Sequence, residues 1–143
     1  SAPVWTSPAG LTLVSTLTPA NGVSSVAVTG LSPYKNFVLC PDNIELAVGV
    51  WGGLKFALSS NNGSSYSTPV LFTNANGTTP KGYASIYRCD VSPSNKPYFV
   101  VSPVTVEAGQ ITTNTGVINA IQITISSATT FNGTGSIYLY GVN

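Results

Sequence analysis

A chain of 143 residues is the size of one ordinary domain. Lys plus Arg number 5 and Asp plus Glu number 4, so 6% of residues are charged and the net charge is +1, against a usual charged fraction of about 25%. That balance excludes the Lys/Arg-rich surface that nucleic-acid binding needs and the polybasic stretch of a membrane-surface anchor.

Low charge here does not signal disorder. Disordered chains are poor in apolar residues, whereas this one is 43% hydrophobic with a mean hydropathy of +0.27. Its polar residues are neutral: Ser, Thr and Asn make up 47 of 143 positions. Such a surface has little charge repulsion to keep copies apart, and it suits a domain that works inside an assembly. The most apolar stretch, Leu46 to Leu54, is nine residues long and holds three glycines, far short of the roughly 20 residues a membrane span needs. Ser1-Ala2-Pro3-Val4-Trp5 lacks the charged start and apolar run of a signal peptide. The expectation is a cytosolic product, without a signal peptide and trimmed of its initiator Met.

In chain order, period-2 alternation predicts about ten strands. Leu11, Leu13 and Leu17 alternate with Thr12, Thr16 and Thr18. Val26 and Val28 follow, then Phe37 and Leu39 before Cys40. Ile44, Leu46, Val48 and Val50 form one stripe, and Leu54, Phe56 and Leu58 form another. Val70 and Phe72, Tyr83 to Tyr87, Tyr98 to Val101, Ile121 to Ile125, and Ile137 with Leu139 complete the set. No window carries helical spacing. Asn-Gly turns at 21–22, 62–63, 76–77 and 132–133 separate the strands. Gly52-Gly53 is expected to turn the chain between two stripes. Segments 76–82 and 105–117 are expected to be the long loops. The fold class is therefore all-β: an antiparallel β-sandwich, jelly-roll-like, of about 8–10 strands, with residues 1–143 as one domain and 1–10 as a possible N-terminal docking arm.

Candidate chemistry is sparse. The chain has no His, the commonest general base and metal ligand. Its carboxylates are Asp42, Glu45, Asp90 and Glu107. Asp42 and Glu45 flank the start of an expected strand, where a glycosidase pair or, with Asn43, a Ca²⁺ site would be conceivable. Two solvated residues at a turn is the plainer reading. No nucleophile elbow, SxxK spacing or phosphate loop occurs. The sequons at Asn62, Asn76 and Asn132 are all Asn-Gly turns as well. Cys40 and Cys89 have no CxxC or His partner; two reduced thiols is the main reading and one disulfide the alternative. No catalytic residue, metal ligand or cofactor is expected. The candidate partner-binding residues are Trp51, beside Gly52-Gly53, and Trp5, in a Pro-bracketed stretch that cannot be a central strand.

Three segments bear a resemblance to a known class. Thr29-Gly30-Leu31-Ser32-Pro33-Tyr34-Lys35-Asn36-Phe37-Val38-Leu39 resembles the opening of small phage virion proteins. Leu54 to Tyr66, containing Ser59-Ser60-Asn61-Asn62-Gly63-Ser64-Ser65-Tyr66, resembles their S-x-D/N-x-G-S-x-Y hairpin. Asn119-Ala120-Ile121-Gln122-Ile123 followed by Phe131-Asn132-Gly133-Thr134-Gly135-Ser136-Ile137-Tyr138-Leu139-Tyr140-Gly141 is similar to the ending of phage tail-fibre and head-decoration sandwiches. The resemblance implies a jelly-roll-like virion protein, often a homotrimer, with no catalytic residues to carry over. Asn61 or Asn62 stands where the hairpin often has Asp, so a metal held there in relatives would be lost.

The expected function is therefore a non-enzymatic bacteriophage structural protein in the virion. It would decorate or cement the capsid, with further copies of itself and the major capsid protein as partners. The alternative is a receptor-binding module of a tail or head fibre that takes cell-surface glycan.

Overall fold

The computed structural model describes residues 10–143. Trp5 and nearly all of the expected docking arm lie outside the described residues. The strands are β1 (Leu11–Leu17), β2 (Ser25–Val28), β3 (Asn36–Asp42), β4 (Leu54–Ser59), β5 (Val70–Leu71), β6 (Tyr83–Ile86), β7 (Lys96–Val101), β8 (Val106–Ile111), β9 (Ala120–Ile125) and β10 (Ser136–Val142). They form a six-stranded sheet, β1-β10-β3-β6-β7-β8, and a four-stranded sheet, β2-β9-β4-β5. All pairings are antiparallel. The orders β1-β10-β3-β6 and β2-β9-β4-β5 are those of a jelly roll. The β7–β8 hairpin is an insertion that widens the first sheet by two strands.

The core follows from alternation. In β10 the buried positions are Ile137, Leu139 and Gly141; in β3 they are Phe37 and Leu39. From the second sheet, Leu54, Phe56 and Leu58 of β4 and Ile121 and Ile123 of β9 meet them in one continuous cluster. Phe56 carries the contact between layers. Its ring lies edge-on to Phe72 at 5.8 Å and edge-on to Tyr98 of β7 at 5.8 Å.

Three expectations are corrected. The stripe 44–50 is a loop with a single bridge, Leu46 to Phe131. The bridge rests on Ala47 N to Thr130 O and Asn132 N to Glu45 O, with Leu46 N to Thr78 O on the other side, and the pairing extends no further. Asn43 and Gly49 take positive φ at either end. Ile44 and Leu46 are buried, whereas Val48 and Val50 reach solvent. Gly52-Gly53 makes a close approach rather than a turn: both are buried, a Cβ on Gly53 would meet Asn74 O at 2.7 Å, and one on Gly52 would meet Ser127 Oγ. Segment 105–117, expected as loop, contains β8. The Asn-Gly turn at 62–63 forms as expected, with φ of 57° and 90°.

Candidate functional site

The two outer faces of the sandwich differ in chemistry. On the four-stranded sheet, Ser25 and Ala27 of β2 lie beside Thr124 and Gln122 of β9, and these lie beside Lys55 and Ala57 of β4. Ala57 is covered and Leu71 of β5, opposite Lys55, is exposed; the rest is the small or polar exterior an antiparallel sheet normally presents. The six-stranded sheet reverses it. Leu13, Tyr140, Val38, Ser85, Phe99 and Ala108 are consecutive partners across all six strands. In the next row Tyr138 lies opposite Cys40, and Tyr83 opposite Val101, which is itself opposite Val106. Leu13 is 51% exposed and Tyr83 43%. Asp42, the last residue of β3, is the only charged residue at the outward positions of these strands.

A second apolar feature is the loop before β4. Val48 is 98% exposed and Trp51 65% exposed. Trp51 is therefore exposed, on a loop. Its main-chain oxygen accepts a hydrogen bond from Ser127 Oγ at 2.7 Å, which fixes the loop and leaves the indole free.

The edges of β5 and β8 border a cleft of about 470 Å³, lined by Leu71, Tyr98, Glu107, Gln110, Thr112 and Thr113 among others. Burial, and secondarily the nearby Glu107 charge, push the Tyr98 hydroxyl above its usual pKa. A smaller hollow holds Asp42, Asn43 and Lys81. Glu45 accepts Asn132 Nδ2 at 3.1 Å and lines neither hollow. The structure thus does not join Asp42 and Glu45 in one hollow, and each hollow has one carboxylate. Among the described residues no three of His, Cys, Asp and Glu converge as metal ligands. Asn61 and Asn62 build their turn: Asn61 Oδ1 accepts from Ser65 N at 2.9 Å and Asn62 Oδ1 from Gly30 N at 2.7 Å.

Lys96 is a residue that sequence reasoning missed. It alternates inward with Val100 on β7 and is completely buried. Its Nζ donates to the main-chain oxygens of Arg88 at 3.0 Å, Val91, and Thr115 at 3.5 Å. Desolvation, and secondarily the charge of Arg88, lower its pKa, although Cys89 and Asp90 act against that shift.

Cys40 and Cys89 are free thiols. Burial pushes the Cys89 thiol up to about 12, so it holds its proton wherever the unfolded thiol, near 9.0, has begun to lose it. Its contribution to stability is full below pH 9.0 and declines as pH rises toward about 12. Lys96, lowered from 10.5, acts in the opposite sense. Comparing the wild type with Cys89→Ala isolates the thiol: the stability gap between them narrows from pH 8.5 to pH 11, read by urea unfolding. A gap that widens contradicts the assignment. At pH 8, iodoacetamide is expected to modify Cys89 only after unfolding.

No family model, curated protein or solved structure matches this chain.

Proposed function

We propose that the chain is a non-enzymatic structural protein of a bacteriophage virion, a homotrimer that decorates or cements the capsid surface against the major capsid protein. The observation that carries this reading is the largely apolar outer face of the six-stranded sheet, with Asp42 its one charged strand residue, on a chain of which 6% is charged. Antiparallel sheets exposed to water on one side carry polar residues there. A face with exposed or half-buried apolar residues on each of its six strands suits a chain that spends its life covered. The jelly-roll topology and the closing Ile137-Tyr138-Leu139-Tyr140-Gly141 accord with the likeness to head-decoration sandwiches. Decoration would stabilise the shell by mass action, because a subunit that binds only the mature shell favours it.

The test is sedimentation of the purified chain with phage heads that lack it. Bound chain, with a raised temperature of head disruption, supports decoration; chain left in the supernatant at saturating concentration counts against it. Trp51 supplies an exposed aromatic anchor for the shell. Trp51→Ala is expected to weaken attachment about 30-fold and to change unfolding free energy by less than about 0.5 kcal/mol.

The β5/β8 cleft favours a second reading, a carbohydrate-binding module. An aromatic ring, a carboxylate, an amide and hydroxyls around one hollow are the groups that hold a neutral sugar. Binding on a glycan array that Glu107→Gln abolishes would favour it over decoration.

A further inference from the structure

We infer that the outer face of the six-stranded sheet is a self-association surface, and that its occupant is a second copy of this chain. This goes beyond the trimer of the reading above, because two like faces packed together close a pair of copies, and it stands or fails separately from attachment to a capsid. Size is the first argument. Six strands spaced by about 4.8 Å, each contributing about six residues at roughly 3.3 Å, give a face of roughly 600 Å². Two such faces bury roughly 1,200 Å² together, above the roughly 1,000 Å² that a biological interface needs.

Charge is the second argument. A partner of opposite charge would require a charged face to recognise, and here only Asp42 stands at the margin. A second copy needs no such complement: its own face is equally uncharged, and a net charge of +1 offers little repulsion on approach. Composition is the third. The face mixes Phe99 and Leu13 with Tyr83, Tyr138 and Tyr140, so large apolar area and phenol hydroxyls lie on one surface. Interface cores are enriched in such aromatic side chains and depleted in Lys, Glu and Asp. The opposite sheet, with Ser25, Thr124 and Lys55 across it, has Leu71 as its one exposed large apolar strand residue.

Cys40 lies on this face and is half-buried, which provides an internal reporter. The experiment is sedimentation velocity on the full chain at micromolar concentration, together with the rate of Cys40 alkylation. Wild type is expected at twice 14.7 kDa, with Cys40 protected. Phe99→Glu places a charge at a position already 38% exposed, so the fold survives, as far-UV circular dichroism would confirm. It is expected to raise the dissociation constant about 100-fold or more, giving monomer and faster Cys40 alkylation. Tyr83→Lys is expected to do the same. Val48→Glu, on the loop before β4 and on no strand of this sheet, is expected to leave the mass unchanged. A monomeric wild type overturns the inference. So does an oligomer that survives both face variants, or one that only Val48→Glu dissociates. Failure of the chain to bind phage heads would leave the inference standing.

Discussion

Lys96→Ala lowers the unfolding free energy by about 3–5 kcal/mol, the largest effect expected of any single polar residue in the chain. Two losses add. The truncation leaves a cavity where a completely buried four-carbon stem had packed. It also removes the donor that draws together the main-chain oxygens of Arg88, Val91 and Thr115, which come from two separate segments. The 88–94 segment has few other ties, among them Cys89 N to Lys35 O at 2.7 Å and Ser94 N to Thr115 O at 2.9 Å. Lys96→Met keeps most of the volume and sheds the cost of holding a charge out of water, so only the loss of the donor remains. About 1–3 kcal/mol is expected there. Urea unfolding of the two variants separates the contributions: equal losses for Met and Ala would show that packing is irrelevant, and no loss for Met would show that the carbonyl cluster needs no donor.

Phe56→Ala is expected to cost about 3–5 kcal/mol. Phe56 is completely buried at the centre of β4 and touches both layers, Phe72 on its own side and Tyr98 across the sandwich. Phe56→Leu keeps more of the volume but loses both edge-to-face contacts, with about 1–2 kcal/mol expected. Because Tyr98 also lines the β5/β8 cleft, Phe56→Ala loosens that wall. Tyr98 is then expected to become more accessible to iodination, whereas Tyr83, already on the outer face, is expected to react unchanged.

Much of the fold is legible in the sequence, and the exceptions share a physical cause. β3, β4, β9 and β10 alternate cleanly because each has one face in the core, and the local pattern records that directly. β8 is hidden because its pattern is inverted. Val106 and Ala108 point outward, while Glu107 and Gly109 lie on the inner side. Gly109 lacks a side chain where the Tyr98 hydroxyl passes over it; a Cβ there would collide with the ring carbon next to that hydroxyl at 2.6 Å. A period-2 stripe at 44–50 is equally misleading. Alternation states which residues favour burial, not whether a partner strand lies alongside.

The candidate site divides in the same way. Trp51 is legible because an indole next to two glycines falls in a break of the pattern. The apolar sheet face is not, since its residues come from six strands whose adjacency depends on long-range pairing. Tyr138 and Tyr140 look like ordinary strand residues until Cys40 and Val38 are placed beside them. Lys96 escapes notice because a lysine in a strand reads as solvated, and only the fold brings three carbonyls to its ammonium.

The central claim is that this domain is a structural element of a virion surface, built to be covered. Immunogold electron microscopy of phage particles from the source of the chain, with antibody against it, tests that claim most directly. The account predicts gold distributed over the head. Particles that carry no gold, from a preparation in which the same antibody detects the purified chain, would contradict it.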